Sequence, residues 1–113
     1  LIIHVDEADW PRLTPQQQQD GLAAYAAFAQ ALEDADALVG SGRLQPSATA
    51  RTVRVKDGRR QVLDGPFAET KEVLGGFFLI EAADLDAAVD WAARCPAAGH
   101  GAVEVRPLWS AGG

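Results

Sequence analysis

The 113-residue chain has a single cysteine, Cys95. No disulfide can form within it, which fits a reducing compartment. No run of about 18 apolar residues occurs, which excludes a membrane-spanning helix. No signal-peptide pattern is visible. Basic charge is also scarce: the net charge is −6 and the pI near 4.7. Such a chain repels nucleic-acid phosphate on average, so no direct nucleic-acid partner is expected. Phosphate-loop, dinucleotide-binding and nucleophile-elbow motifs are missing, and Gly75-Gly76 sits in an apolar run rather than before a helix. Two histidines, His4 and His100, and Cys95 lack the spacing of a zinc site. No metal and no cofactor are expected. Cys95, just before Pro96, reads as a half-buried thiol and His100, between two glycines, as an exposed loop residue.

What is present is an ordinary globular composition, 48% apolar, in a length suited to one domain, 1–113. A domain of this size buries roughly two-thirds of its unfolded surface, enough for a core without staples. The numbering opens at Leu1 inside what reads as a strand, so residues including the initiator Met are expected to precede it.

Leu1–Val5 (LIIHV) is a short β-rich run. Thr14-Pro15-Gln16-Gln17 is a helix start, with Thr14 as cap, Pro15 at the first helical position and Gln17 completing a capping box. The spacing predicts a helix over 15–38, with Leu22, Tyr25, Ala29 and Leu32 inward and Phe28 alongside, stopped by Gly40 and Gly42. Trp10–Leu13 before it reads as a loop. Ala48–Leu63 reads as a β-hairpin turning at Asp57-Gly58. Leu74–Glu81 (LGGFFLIE) reads as a central strand. Asp84 caps a second helix over 85–93, with Leu85, Val89 and Ala92 inward. Ala102–Arg106 alternates as a last strand, and Ser110–Gly113 should fray.

The resulting order, β-α-β-β-β-α-β, is the split βαβ pattern with one extra hairpin strand. The fold expected is α+β: ferredoxin-like βαββαβ with an extra β-hairpin strand. Both helices would cover one sheet face, and the other, apolar face would be left for a homodimer. Arg51, Arg54, Lys56, Arg59 and Arg60 concentrate half of the ten cations in ten positions. A solvated hairpin face explains them; an anion- or partner-binding patch is the alternative.

Asp64–Glu81, DGPFAETKEVLGGFFLIE, resembles the signature of the DGPF family, a branch of the YCII-related proteins. Leu38-Val39-Gly40, the TVRVKDGRR hairpin, the Asp84–Cys95 helix and the AVEVRP ending are similar as well, so the resemblance spans nearly the whole chain. It implies a dimeric α+β barrel, in uncharacterised and cytoplasmic bacterial proteins. It also implies, for some members, association with extracytoplasmic-function sigma factors. Some YCII-like relatives are enzymes, dehydrochlorinases among them, with a His–Asp pair in a pocket between helix one and the sheet. Here Asp6 suits the carboxylate, but Tyr25 stands where the histidine would be. A tyrosine with a pKa near about 10 is a poor base at neutral pH.

The candidate site follows from both readings. Asp64 can fix a turn, Gly65 opens backbone angles closed to other residues, Pro66 restricts the chain, and Phe67 anchors it. Those roles are structural; as a pocket wall, Asp64 would be the polar group and Phe67 the floor, with Glu69, Thr70 and Lys71 at the rim. Histidine as a residue type suits acid–base work near neutral pH, and i and i+2 on a strand share a face, so His4 and Asp6 are the catalytic candidates. Tyr25, Arg54, Asp64, Gly65, Pro66 and Phe67 are the ligand-binding candidates. Three functions are in contention: a dimer binding a small molecule between helix one and the sheet, a small dehydrochlorinase- or isomerase-like enzyme, and a module contacting a sigma factor through the basic hairpin.

Overall fold

The computed structural model describes residues 1–109, so the fraying expected of Ser110–Gly113 lies outside the described residues. Strand β1 spans Ile2–Val5, and a short helix α1 spans Asp9–Arg12 where a loop was expected. The long helix α2 is Pro15–Asp34, β2 is Leu38–Arg43, β3 is Arg51–Lys56 and β4 is Arg59–Asp64. Strand β5 is Val73–Ile80, α3 is Leu85–Arg94 and β6 is Ala102–Glu104. Ser47–Thr49 and Pro96–Gly99 are single 3-10 turns. Among the described residues, no helix is long and apolar enough to cross a membrane.

Helix α2 starts as its sequence dictates. Thr14 Oγ1 accepts from the Gln17 N–H at 3.1 Å, and the Gln17 side chain accepts from the Thr14 N–H at 2.9 Å. These reciprocal bonds satisfy donors that a helix start leaves unpaired. Its end corrects the expectation. The helix stops at Asp34, because Asp36 turns into the left-handed region at φ 55°. Leu38–Arg43 then runs as a strand rather than the last helical turn. Gly40 and Gly42 are therefore strand glycines, not helix stops. A Cβ at Gly42 would lie 2.8 Å from the Phe77 ring, so the missing side chain makes room for that aromatic.

This strand completes the fold. The main sheet has the order β2-β5-β1-β6, antiparallel throughout, with β5 and β1 central. That is the ferredoxin-like arrangement, in which α2 links β1 to a strand two places away and α3 links β5 to β6. The hairpin supplies none of its strands: β3 and β4 pair only with each other. The hairpin turn itself matches the sequence, since Asp57 and Gly58 both have positive φ, 53° and 73°, as a two-residue turn between twisted strands needs.

Both long helices pack on one face of the sheet. Phe28 of α2 meets Phe78 of β5 edge-to-face at 5.1 Å between ring centres, and Trp91 of α3 at 6.2 Å. Ile3, Leu32, Ala37, Cys95 and Ala97 close the same buried cluster. Burying each large side chain of this kind contributes about 1.5–3 kcal/mol. Leu22, Leu85 and Val89, expected inward, are exposed instead, and Ala88, Trp91 and Ala92 turn α3 toward the sheet. The crossing of α3 over the sheet sets its rotation, which helical spacing alone leaves free. The opposite sheet face carries Ile2, His4, Phe77 and Leu79, with Phe77 exposed.

Two predictions rest on this core. Leu32 is fully buried. Leu32→Ala should cost about 2–5 kcal/mol in urea unfolding, against under about 0.5 kcal/mol for the exposed control Val55→Ala. A Leu32→Ala cost as small as the control's would mean that the core lies elsewhere. The second concerns alkaline pH. Burial raises the Cys95 thiol above its ordinary 9.0, and raises the Tyr25 hydroxyl above its ordinary 10.0. The unfolded chain ionises first as pH rises, so stability holds below about pH 9 and declines above it. The Cys95→Ala/Tyr25→Phe variant should show a shallower decline between about pH 8 and pH 11. Parallel pH profiles would contradict this.

Candidate functional site

The residues singled out from the sequence do not meet at one place. His4 lies on the sheet face away from the helices, and its Nε2 is 3.1 Å from Glu104 Oε1. Ile2 opposes Glu104 in the strand register, which makes His4 and Glu104 diagonal neighbours on one face, within reach of long side chains. Arg106 also bonds Glu104, and these two hydrogen bonds, that of Arg106 first, hold the Glu104 carboxyl below its ordinary 4.5. An ionised carboxylate only accepts, so Nε2 is the protonated nitrogen of His4.

Asp6 is not beside His4. Strand β1 ends at Val5, and the chain turns so that the Asp9 N–H bonds the Asp6 carbonyl at 3.1 Å. The Asp6 carboxylate accepts from the Ala8 N–H at 3.0 Å. The i, i+2 rule that would pair His4 with Asp6 lapses once the strand ends. Tyr25 packs half-buried against the core cluster. Desolvation raises its pKa, with the coulombic influence of Cys95 adding to the rise and that of Arg43 opposing it, which makes it a still poorer base. Arg54 stands on the hairpin with its guanidinium 5.3 Å from the Phe67 ring centre. Phe67 is 77% exposed, a cover on Arg54 rather than a buried floor.

The DGPF segment is the root of the hairpin. Asp64 Oδ1 pairs with Arg51 Nε at 2.9 Å across the two strands. Gly65, at φ 104°, donates its N–H to the Ala50 carbonyl at 2.8 Å and accepts from Thr52 Oγ1 at 2.9 Å. Glycine alone adopts that backbone angle without strain. A second tie holds the hairpin's entry. The Glu7 carboxylate takes the Ser47 N–H at 2.6 Å and the Ser47 hydroxyl at 2.7 Å.

Between these ties lies a cleft of about 580 Å³. It is lined by Asp6–Ala8 after β1, Ser47 and Ala48 before β3, Asp64–Pro66, Glu69–Lys71 and Val73. Asp6, Asp64, Gly65 and Pro66 of the expected set converge here, together with the rim residues Glu69, Thr70 and Lys71. His4, Tyr25, Arg54 and Phe67 lie outside the lining, and no residue of α2 belongs to it. The cleft therefore sits between the β1 exit and the hairpin root, not between the helix and the sheet. Glu7, Ser47 and Glu104 were missed. Their partners are 40 and 100 residues away, and no local pattern signals such pairs. Among the described residues, no group of three or more His, Cys, Asp or Glu side chains is placed to hold a metal ion.

A four-stranded antiparallel sheet under two helices, with a free hairpin and a polar cleft at its root, defines a ferredoxin-like α+β domain. The chain belongs to the YCII-related family: the YCII-related domain matches residues 1–111. It is 36% identical over 110 residues to uncharacterized protein R00369 of Rhizobium meliloti (strain 1021), covering 96% of this chain and 89% of that one.

Replacing Gly65 tests the root. A Cβ there meets nothing within 4 Å, so the penalty is backbone strain alone, about 1–3 kcal/mol. Gly65→Ala should speed amide exchange across β3 and β4 by roughly tenfold or more while the main sheet keeps its protection. Unchanged exchange in the hairpin would remove Gly65 as its clamp.

Proposed function

We propose that the protein binds a small molecule rich in hydrogen-bond donors in the cleft at the hairpin root. The supporting observation is the convergence of Asp6 and Asp64–Pro66, far apart in sequence, on one cavity of about 580 Å³. Pockets of some 300–1,000 Å³ with a few placed polar groups are the usual form of small-ligand sites. Four carboxylates, Asp6, Glu7, Asp64 and Glu69, line it against one cation, Lys71. Carboxylates accept hydrogen bonds and favour hydroxyl, amine or ammonium groups over anions.

The local geometry supports a pre-formed site. Glu7 is spanned by Ser47, and Asp64 by Arg51, so their oxygens are oriented before a ligand arrives. Little rotamer freedom then remains to be lost on binding. His4, the side chain best suited to proton transfer near neutral pH, is engaged by Glu104 outside the cleft. That favours binding over turnover.

Thermal-shift and calorimetric titration with a defined panel of polyamines, amino sugars and polyols tests the reading. A true ligand at about 100 times its Kd adds roughly 2.7 kcal/mol of stability. Asp6→Asn should weaken binding about tenfold or more, and Lys71→Ala should leave it unchanged or improve it. The reading fails if no compound in the panel stabilises the protein, or if a stabilising compound binds Asp6→Asn as well as it binds the wild type.

A further inference from the structure

The hairpin β3–β4 stands clear of the layered body. The molecule's extents are 48 × 47 × 18 Å and its radius of gyration is 16.3 Å. About 13 Å is usual for a chain of this length, which marks the hairpin as a projecting arm. An isolated two-stranded sheet is marginal in water, and β3 pairs with β4 alone. Bonded and non-bonded residue pairs alternate along antiparallel strands. The Gly65 N–H bonds the Ala50 carbonyl, so Ala50 and Gly65 are a bonded pair one step outside Arg51 and Asp64 in the register. Arg51, Val53 and Val55 therefore fall in non-bonded pairs and turn their N–H and C=O groups away from β4. Among the described residues, no other strand takes up this edge.

The side chains along the edge are sorted by face. Strand register puts Val53 opposite Val62 and Val55 opposite Arg60 on one face, with Arg54 opposite Gln61 and Lys56 opposite Arg59 on the other. The first face is largely apolar, and Val55 is 71% exposed. The second holds Arg54, Lys56 and Arg59 and no acid, since Asp64 lies on the first face against Arg51 and Asp57 lies in the turn. Among the described residues, none of these three cations is in a salt bridge. Lys56 and Arg59 directly opposite each other repel, and acids on an added strand would relieve that repulsion. The same cations disfavour a second β3 strand at the edge. Nucleic acid or a lipid headgroup would meet the cations but leave the main-chain edge unpaired. Strand β3, Arg51–Lys56, spans about 20 Å. That exceeds a Debye length of about 10 Å, so the acidic body does little to repel an acidic partner at the tip.

We propose that the free edge of β3 takes an extended segment of another protein as a third strand, a segment in which acidic and apolar residues alternate. Main-chain bonds to Arg51, Val53 and Val55 supply the strand pairing. The segment's apolar side chains lie beside Val53 and Val55, and its acids beside Arg54 and Lys56. Opposite charge steers encounter and fixes the register of the added strand. Arg54 is already held against the Phe67 ring at 5.3 Å, so less of its freedom is lost on binding. The DGPF turn gains a role in this scheme. Asp64 and Gly65 clamp the root, so the edge is presented in one direction instead of swinging freely. The inference does not depend on the cleft having a ligand.

The probe is a fluorescein-labelled, amidated peptide of about eight residues in which glutamate and valine alternate, a usual strand length. Fluorescence anisotropy should show binding to the whole protein with a Kd that rises with salt. A peptide of the same composition, with its glutamates and valines in two blocks, should bind about tenfold or more weakly. Arg54→Gln/Lys56→Gln should raise the Kd about tenfold or more and flatten its salt dependence. Val53→Pro removes one outward N–H at an edge, where proline is tolerated, and should raise the Kd by a similar factor. Val62→Pro makes the matching change on β4 and should leave the Kd within about twofold. Amide exchange gives an independent reading, because the peptide should slow exchange at Val53 and Val55 but not at Val62. The proposal is overturned if the peptide does not bind, or if the blocked peptide binds as well, since charge alone then suffices. It is equally overturned if Val62→Pro weakens binding as much as Val53→Pro does. Protection of the Val53 and Val55 amides in the protein without peptide would also overturn it, because the edge would then already be covered by a second copy.

Discussion

The edge-to-face contact between Phe28 and Phe78 is the constraint on which the rest of the structure depends. It holds α2 onto the central strand β5, with Trp91 of α3 against the same ring. One aromatic thus joins both helices to the sheet. Close packing of this kind leaves little room for sliding, so the face of β5 that carries Phe78 is committed to the helices. Phe77 and Leu79, one residue out of phase, are by the same geometry committed to the opposite side. The two-faced character of the sheet follows from one ring pair and the period of a strand.

The main-chain approach at Gly76 acts in the same place. A Cβ there would come within 2.6 Å of the Gly42 carbonyl, so β5 and β2 meet at a distance only glycine permits. The glycines of LGGFF are a packing device within a strand, next to the aromatics that define it. Away from this layered body the molecule is held by small polar ties: Glu7 to Ser47, Asp64 to Arg51, Gly65 to Ala50 and Thr52. Partly exposed ties of this type are weak one by one. They orient the arm and shape the cleft more than they stabilise the fold. The candidate binding region and the projecting arm therefore share a root built from the same few residues.

Much of this was legible in the residues themselves. The capping box of α2, the Asp57-Gly58 turn, the Asp84 cap and the apolar LGGFFLIE strand all depend on neighbours within four positions. The second strand was not legible. Leu38–Arg43 holds two glycines in six residues, which reads locally as a helix stop and a loop. Only Phe77, 35 residues on, explains why glycine belongs there. The rotation of α3 was missed for a similar reason: Leu85 and Val89 satisfy helical spacing, but the Trp91 contact with Phe28 turns the helix another way. At the site, Asp6 and Asp64–Pro66 line one cleft, which was expected beside the long helix and lies instead at the hairpin root.

The sequence by itself determined most of the local elements, the ferredoxin-like class, the basic hairpin's turn and the family, because each is written in short-range spacing or in a contiguous motif. Tertiary structure decided which strands share a sheet, that His4 pairs with Glu104 rather than Asp6, and that the cleft lies at the root of the arm. Those outcomes turn on register and on contacts 35 to 100 residues apart. Strand period and helical spacing specify which side chains share a face, but only the assembled sheet specifies what that face meets.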